Sequence, residues 1–274
     1  MASPMLRSIH VHPVKSLAAC AREEVVVEPW GLDGDRRWML IDHTGRAVTQ
    51  RQQPRMGQVS AALTGDGGVT LSAPGSAPMT VEVPPPGRTL TAELHGSRFE
   101  VVEAAAAAHS WLGDVLDTPV RLVHLDAPSH RRLIDPAYAR PGETVSLADG
   151  YPLLLTTTAS LAALNALIAS GGHPEEGPLP MNRFRPNAVI DGTGPWAEDD
   201  WKRISIGEVP FRVVKPCGRC VITTTDQRTS ERGKEPLRTL ARHRRVGKDL
   251  LFGQNLIPDG TGVIRVGDPV RILD

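Results

Sequence analysis

Residues 209–226 read VPFRVVKPCGRCVITTTD, and they place Cys217 and Cys220 directly after a strand-like run. In thioredoxin-like proteins a CxxC pair sits where a strand meets a helix, and its second cysteine lies inside that helix. Here the pair is followed by a run of β-branched residues, which is a poor start for a helix. The stretch therefore disfavours a thioredoxin-like fold and leaves the chemistry of the two thiols open.

The two thiols can serve a metal, and the rest of the chain limits which metal that is. A structural zinc site needs two further ligands at a suitable spacing. The third cysteine is Cys20, far away in sequence, and His243 stands alone downstream of the pair. Zinc is therefore a minority interpretation. Lys215 and Arg219 create an electropositive setting that favours a thiolate, which is a good ligand for soft metals.

Outward from this stretch, the N-terminal half is predicted to consist of short strands between turns. Alternating apolar residues mark a strand in SIHVHPV at 8–14. Residues 37–51, RWMLIDHTGRAVTQR, predict a hairpin with a glycine-containing turn. More strand-like runs follow up to residue 104, with PPPG at 84–87 as a connector. Short strands at this spacing favour a barrel or a curled sheet.

Helices are predicted mainly after this strand-rich region. Alanine-rich residues 104–116 predict the first helix, and a second begins near residue 157 or 158 and stops at the Gly171-Gly172 pair. A third spans 235–245, with an acidic start and a basic end. Residues 124–150 lack periodicity and predict a long functional loop. The tail at 262–273 predicts strand, turn and strand.

The composition excludes several classes of protein. The 274 residues contain 31 Lys+Arg and 31 Asp+Glu, so the zero net charge gives no global attraction to nucleic acid or to an anionic membrane. Aromatic residues, at 4%, are too few for an extended base-stacking surface. Three cysteines are too few for a secreted disulfide framework. With neither a signal peptide nor an apolar span, we expect a cytoplasmic protein without a membrane anchor.

Basic and hydroxyl-bearing residues recur beside the predicted strand ends. Hydroxyls and free backbone N–H groups at a helix N-terminus form an anion site, and arginine adds bidentate contacts to phosphate. Taken singly, each of these residues is more typical of a surface charge or a helix cap. Taken with the thiol pair, they indicate a pocket for a phosphorylated, metal-carrying ligand. The residues are Lys15, Ser16, Arg36, Thr157, Ser160, Arg185 and Asn187.

Eight segments in this order resemble one known family over nearly the whole chain. They are PVKS, GLDGDRRWMLID…TQR, YPLLLTTTASLAALN, FRPNAVIDG…WAEDDW, PCGRCVITTTD, KEPLRTL, LFGQN and VGDPVRIL. The chain resembles the MOSC-domain proteins with an N-terminal MOSC β-barrel domain, the group that includes the mitochondrial amidoxime-reducing component and its bacterial relatives. The resemblance implies an α+β, mostly β fold of two intertwined lobes. We expect an N-terminal β-barrel-like lobe at 4–122 and a MOSC β-barrel with a few helices at 123–274.

The resemblance also implies a cofactor, the molybdenum–molybdopterin group. The family's metal ligand, which also acts in catalysis, corresponds to Cys220. Cys217 is expected to be a buried small residue and not a ligand. The family pattern implies that Lys15, Ser16, Arg36 and Arg185 hold the pterin phosphate and ring edges. It also implies that the same pocket is lined by Thr157, Ser160, Asn187 and Asn255.

The activity that the resemblance implies is the reduction of N-hydroxylated compounds: amidoximes, hydroxylamines and N-hydroxylated bases. The chain lacks the four cysteines of an iron–sulfur cluster, so electrons are expected from a separate ferredoxin- or cytochrome-type donor with its reductase. The basic run at 242–245 is a candidate docking patch, or it complements the helix dipole. Asp226 and Asp200 are candidate proton donors, although both are more typical of turns and caps.

Two other functions remain open from the sequence. The family also includes the C-terminal domain of cofactor sulfurases, so the chain can instead be a cofactor carrier or a sulfur-transfer protein that uses a Cys220 persulfide. A third hypothesis needs no molybdenum and uses Cys217 and Cys220 as a redox pair. The replacement Cys217→Ser separates this hypothesis from the others, because a dithiol mechanism requires both sulfurs.

Overall fold

Strands make up most of the regular structure in a computed structural model that describes residues 3–274. The strands in chain order are β1 Met5–Val11, β2 Cys20–Arg22, β3 Glu24–Glu28, β4 Gly31–Leu32, β5 Trp38–Ile41, β6 Ala47–Val48, β7 Ser60–Leu63, β8 Val69–Ser72, β9 Met79–Val81, β10 Thr89–Leu94, β11 Ser97–Glu103, β12 Arg121–His124, β13 Leu153–Thr157, β14 Ala188–Asp191, β15 Arg203–Ile206, β16 Val209–Gly218, β17 Arg245–Val246, β18 Asp249–Pro258, β19 Gly262–Arg265 and β20 Val270–Ile272. The helices are α1 Ala106–Leu116, α2 Pro128–Arg131, α3 Thr158–Ala169 and α4 Leu237–His243.

These strands form four sheets of unequal size. The largest has the order β2-β1-β14-β13-β18-β16-β15-β20, with β17 paired to β18. A five-stranded sheet has the order β10-β11-β12-β5-β6, and two three-stranded sheets have the orders β19-β3-β4 and β7-β8-β9. All adjacent strands are antiparallel except β13 and β14, which are parallel. The expected mostly β, α+β fold is confirmed.

The two ends of the chain share sheets, as expected for intertwined lobes. β1 pairs with β14 at Ile9 and Ala188, and β3 pairs with β19 at Val26 and Val263. One apolar core contains side chains from β1 and β3 together with side chains from β13 to β20. These strand pairs join residues on both sides of the expected lobe boundary between residues 122 and 123. The position of that boundary therefore stays a prediction.

β5 is a fully apolar strand whose side chains are buried on both of its faces. Successive side chains of a strand point to opposite faces. Trp38 and Leu40 enter one core cluster, and Met39 and Ile41 enter another, with all four side chains fully buried. A strand buried on both faces has a continuous apolar sequence. Burial of each such side chain stabilises the fold by about 1.5–3 kcal/mol. This burial holds β5 in place, and with it the preceding Arg36.

The predicted helices are confirmed, with shifted ends. α1 begins two residues later than predicted, at Ala106, because Ala105 adopts an extended conformation as its N-cap. α3 begins at Thr158 and is capped by Thr157, as the sequence suggests. α4 is shorter than predicted, since Pro236 precedes it and Arg245 already belongs to β17. No helix among residues 3–274 is long and apolar enough to cross a membrane.

Candidate functional site

One open cavity of about 790 Å³ brings together side chains from both halves of the chain. It contains seven of the nine residues singled out in the sequence. They are Lys15, Ser16 and Arg36 from the N-terminal half, and Arg185, Asn187, Cys220 and Asn255 from the C-terminal half. The sharing of sheets between the lobes explains how residues more than 200 positions apart reach one cavity.

Cys220 lies at the point where β16 ends and a short 3₁₀ helix, Val221–Thr224, begins. Its carbonyl oxygen accepts hydrogen bonds from the backbone N–H of Thr223 at 3.0 Å and from the Thr223 hydroxyl at 2.8 Å. The N–H of Arg219 donates to the carbonyl of Leu250 on β18 at 2.7 Å. The main chain on both sides of Cys220 is therefore fixed, while its half-buried thiol lines the cavity.

The second cysteine lines the same cavity. Cys217 is half-buried, not fully buried as expected from the sequence. Its sulfur lies 2.8 Å from Nη1 of Arg219, whose Nη2 donates to the carbonyl of Phe184 at 2.6 Å. Arg219 is thus held in place and points an N–H at the sulfur.

Three cavity residues have strained backbones. Ser16, Arg36 and Arg185 have φ angles of 68°, 49° and 54°, and they are three of the seven non-glycine residues with positive φ among residues 3–274. A residue with a side chain rarely adopts this conformation, which costs on the order of 1 kcal/mol or more, and such strain concentrates at functional sites. The N–H of Arg36 is held by the carbonyl of His12 at 2.8 Å. The fold thus imposes these conformations where they direct side chains toward the cavity.

A buried hydrogen-bond network orients Arg36. Its Nη1 donates to Asp35 and, at 3.0 Å, to Oδ1 of Asn187. Asp35 is fully buried and also accepts from the N–H of His12 at 2.8 Å. Asn187 bridges further, because its Oδ1 accepts from the N–H of Leu154 at 3.1 Å. Asn187 therefore acts on the cavity mainly by holding Arg36 and the neighbouring strands.

Arg185 differs from Arg36 in having no protein partner for its charge. Within residues 3–274, its guanidinium takes part in no hydrogen bond or ion pair, although it lines the cavity. Burial, together with the nearby Arg36 charge, lowers the pKa of Arg185 to about 9. The group remains a cation at neutral pH, and a half-buried cation without a counter-ion is ready to bind an anionic ligand.

Lys15 is a second buried cation. Its ammonium donates to the carbonyl of Leu147 at 2.8 Å and to Oδ1 of Asp149, which lies at the cavity mouth and is 58% exposed. Burial lowers the pKa of Lys15 to about 8, against the opposing effect of Asp149. The ammonium is thus charged at neutral pH and loses its proton more easily than an exposed lysine does.

The loop predicted at 124–150 contributes one wall of the cavity. It contains the short helix α2 and is otherwise irregular. Arg132 is buried and donates to the carbonyls of Ser146, Ala148 and, at 2.7 Å, Asp149. These bonds hold the end of the loop against the cavity, in agreement with a functional role for the segment.

Thr157 and Ser160 are not brought to the cavity. Both hydroxyls donate to Oε2 of the buried Glu198, at 3.2 and 2.8 Å, and the Thr157 oxygen caps α3 by accepting from the N–H of Ser160 at 3.1 Å. Burial raises the pKa of Glu198. The expectation that these two residues line the pocket is therefore corrected. Their hydroxyls instead donate hydrogen bonds to the carboxyl group of Glu198, about 40 residues away in sequence.

The two candidate acids also lie outside the cavity lining. Asp226 accepts from Arg183 at 3.0 Å and from the N–H groups of Arg228 and Thr229, so it stabilises a turn. Asp200 ends the 3₁₀ helix Ala197–Asp199. Both have the structural role that is typical of aspartates in turns and caps.

Sequence reasoning missed several residues that line the cavity. Arg51 lies beside the Cys220 thiol; burial lowers the pKa of Arg51, but Asp149 and Cys220 outweigh this effect and raise it. Asp149 lies at the end of the long loop and Tyr151 directly follows it, and that loop is the available signal for them. With Arg51 and Arg219 included, five cationic side chains face one carboxylate in the lining, so the cavity is strongly electropositive.

The comparisons with known proteins show the family of the chain. Residues 3–119 match the MOSC N-terminal beta barrel domain and residues 142–271 match the MOSC domain. The chain is 33% identical to human mitochondrial amidoxime-reducing component 1 over 96% of its own length and 81% of the relative. The chain belongs to the MOSC-domain family with an N-terminal MOSC β-barrel domain.

Two other relatives show the range of this family. The amidoxime-reducing component 1 of Xenopus laevis is 32% identical over 95% of this chain and 79% of its own length. A molybdenum cofactor sulfurase of rice is 28% identical over 90% of this chain but only 32% of its own length. The MOSC family relatives thus divide into reductases by name and sulfurases by name.

Proposed function

We propose that this protein is a molybdenum-cofactor-dependent reductase of N-hydroxylated compounds. One observation carries the proposal: the Cys220 thiol opens into a cavity whose Arg185 guanidinium has no hydrogen-bond or ion-pair partner among residues 3–274. A soft metal ligand and an unpaired cation in one cavity match the two ends of a molybdenum–pterin group, which are a soft metal and a phosphate. The relatives named as amidoxime-reducing components support the reductase assignment.

The residues present fit that cofactor by charge and donor type. Cys220 would hold the metal, and Lys15, Ser16, Arg36, Arg185 and Asn255 would hold the phosphate and the ring edges. The excess of cations in the lining offsets the negative charge of a phosphorylated dithiolene ligand. Tight binding of a neutral ligand would instead leave these cations uncompensated at a cost in free energy.

When bound, the cofactor supplies two electrons and a metal position that takes an oxygen atom. The overall reaction is R–NHOH + 2e⁻ + 2H⁺ → R–NH₂ + H₂O. The protein holds the substrate in an open-mouthed cavity, and Lys15 and Asp149 hold a proton at the cavity mouth through their ammonium–carboxylate contact. The lowered pKa of Lys15 suits it to proton transfer near neutral pH.

The electrons come from a separate protein in this proposal, a ferredoxin- or cytochrome-type donor with its reductase. Residues 228–248 carry eight basic and two acidic residues in a chain with no net charge. Arg242, His243 and Arg245 in this segment are exposed, whereas Arg244 pairs with Asp199 and lies over the Trp196 ring at 4.3 Å. An acidic donor would find its charge complement here. Free thiols at the cavity support a reducing, cytoplasmic location.

The second candidate is a cofactor carrier or a sulfur-transfer protein that uses a Cys220 persulfide. Two observations favour it: both Cys217 and Cys220 line the cavity, and sulfurases are among the relatives. A carrier passes cofactor or sulfur to an apo-enzyme and turns over no N-hydroxylated substrate. A dithiol redox pair predicts instead that Cys217→Ser abolishes activity.

The experiment is a reductase assay on protein expressed in a host that makes the cofactor. Reduced methyl viologen replaces the unknown donor, and benzamidoxime is the substrate. We expect turnover in the wild type and in Cys217→Ser, but none in Cys220→Ser. Molybdenum-loaded wild type that reduces no N-hydroxylated compound, yet activates an apo-enzyme, would establish the carrier function instead.

A further inference from the structure

One tyrosine of the chain, Tyr151, lines the cavity, and the other, Tyr138, packs against it. The protein has only two, Tyr138 and Tyr151, and their rings pack edge to face with centroids 5.9 Å apart. Tyr151 lines the cavity together with Cys217 and Cys220. Phe184 also lines the cavity, with the Arg219 guanidinium over its ring, and the tyrosine pair adds a further aromatic surface.

Lys215 extends this aromatic edge outward. Its ammonium lies 4.7 Å from the centroid of the Tyr138 ring. Within residues 3–274, neither this ammonium nor the two tyrosine hydroxyls has a hydrogen-bond or ion-pair partner. Tyr151, Tyr138 and Lys215 thus form a wall of successive contacts, which begins with Tyr151 in the cavity lining and ends at the Lys215 ammonium. Unpaired donors at a cavity edge are free to bind an acceptor on a ligand.

The wall is held by its surroundings before any ligand arrives. Tyr151 packs against a core cluster that contains Ile134 and Val145. The turn that carries Tyr138 is closed by Asp135, whose carbonyl accepts from the N–H of Tyr138 at 3.0 Å. Rings that are already ordered lose little conformational freedom on binding, so their contacts favour affinity.

We propose that the Tyr151–Tyr138–Lys215 wall selects aromatic N-hydroxylated substrates that carry an anionic tail. The substrate ring lies against Tyr151, which places its N–OH group toward Cys220, and the tail reaches the ammonium of Lys215. This inference rests on the proposed reductase function, and it adds which members of the substrate class are preferred. The reaction itself is unchanged: an amidoxime takes two electrons and two protons and releases water and an amidine.

Three amidoximes with the same reacting group separate the parts of the wall. Acetamidoxime has no ring, benzamidoxime has a ring, and 4-carboxybenzamidoxime has a ring and an anionic tail. With Tyr151→Leu, we expect KM to rise about tenfold for both aromatic substrates and to stay unchanged for acetamidoxime. With Lys215→Met, we expect about a threefold rise for the carboxylate substrate alone. Reduced methyl viologen supplies the electrons throughout.

Matched variants guard against a general loss of structure. Tyr151→Phe keeps the ring and loses only the hydroxyl, so its KM for benzamidoxime should rise less than that of Tyr151→Leu. Trp111→Leu removes an aromatic side chain from α1, whose indole N–H donates to the carbonyl of Ala77, away from the cavity. It should change no KM. If Tyr151→Leu fails to fold, Tyr138→Leu takes its place with the same expected pattern.

A binding measurement tests the wall without turnover. Isothermal titration calorimetry with the amidine product, 4-carboxybenzamidine, on the cofactor-loaded protein should give a Kd about tenfold weaker for Tyr151→Leu than for wild type. Equal KM changes for all three amidoximes, or unchanged product binding, would overturn the wall's role. A wild type that reduces none of the amidoximes would refute the reductase function, while the calorimetric difference would still support selective binding at this wall.

Discussion

Two clusters of polar residues at the large sheet differ in how far their polar and charged groups are paired within the protein. At the start of α3, the hydroxyls of Thr157 and Ser160 are bound to the buried Glu198. At the cavity, Asp35 neutralises Arg36, but Arg185 has no counter-ion within residues 3–274. The first cluster is satisfied within the fold, whereas the second leaves a charge available. A binding residue is thus recognised less by its type than by what the rest of the protein leaves unpaired.

Removing the counter-ion of Arg36 should have the largest effect on stability. Asp35→Ala leaves a largely buried guanidinium without its carboxylate, and breaking such a pair costs about 3–5 kcal/mol. We expect a lower free energy of unfolding by chemical denaturation, together with loss of bound cofactor. Because a carboxylate elsewhere on the surface lacks such a partner network, Glu82→Ala is a suitable control and should change little.

Arg185→Gln should show the opposite pattern, with loss of ligand but no loss of stability. Charged hydrogen bonds contribute about 1.5–3 kcal/mol, so cofactor retention should fall about 10–100-fold. The cofactor-free protein should unfold at an unchanged or slightly higher temperature, since a buried unpaired charge is removed. Pterin content and thermal unfolding of the same preparation measure both effects. Full cofactor occupancy in this variant would show that Arg185 holds no anion.

Thr157→Ala tests the satisfied cluster directly. It removes the N-cap of α3, and such a loss costs about 1 kcal/mol. The free energy of unfolding should fall by that amount, while pterin content per folded molecule stays at the wild-type level. Thr261→Ala, at an exposed position whose hydroxyl makes no hydrogen bond within residues 3–274, is a control for the loss of a threonine. A selective loss of pterin from Thr157→Ala would return this residue to the binding site.

Glu198→Gln should have the smallest effect, visible as a change in pH dependence. Burial raises the pKa of Glu198 above its value in the unfolded chain. The folded form therefore holds its proton more strongly, and stability falls as pH rises from the unfolded pKa through the folded pKa. The variant lacks this slope, so the free energy of unfolding, measured as the pH rises from about 4, near the ordinary carboxyl value, should favour the variant increasingly with pH. Parallel curves for both proteins would contradict a raised pKa.

The local sequence pattern predicts where strands and helices form, but it does not predict which strands pair with each other. The hairpin at 37–51 and the cap at Thr157 depend on neighbouring residues and were predicted correctly. The pairing of β1 with β14 joins segments about 180 residues apart, and no local signal specifies it. That arrangement was expected only from the family resemblance.

The same limit applies to the site. Motif positions indicated Lys15, Arg36, Arg185 and Cys220, and the structure brings them together in one cavity. Thr157 fits the pattern of an anion site equally well, but its partner lies in a distant segment. Arg51 ends the TQR stretch at 49–51, which belongs to the segments that carry the family resemblance, but its local sequence does not indicate that it reaches the cavity. Long-range contacts decide which polar groups remain free, and sequence periodicity carries no information on them.

The central claim is that Cys220 holds molybdenum in this cavity. The measurement is elemental analysis for molybdenum, with pterin content, on wild type, Cys220→Ser and Cys217→Ser from a host that makes the cofactor. We predict near-stoichiometric molybdenum in the wild type and in Cys217→Ser, and its loss from Cys220→Ser. Absence of both molybdenum and pterin from the wild type, or equal molybdenum in the wild type and Cys220→Ser, would contradict the account.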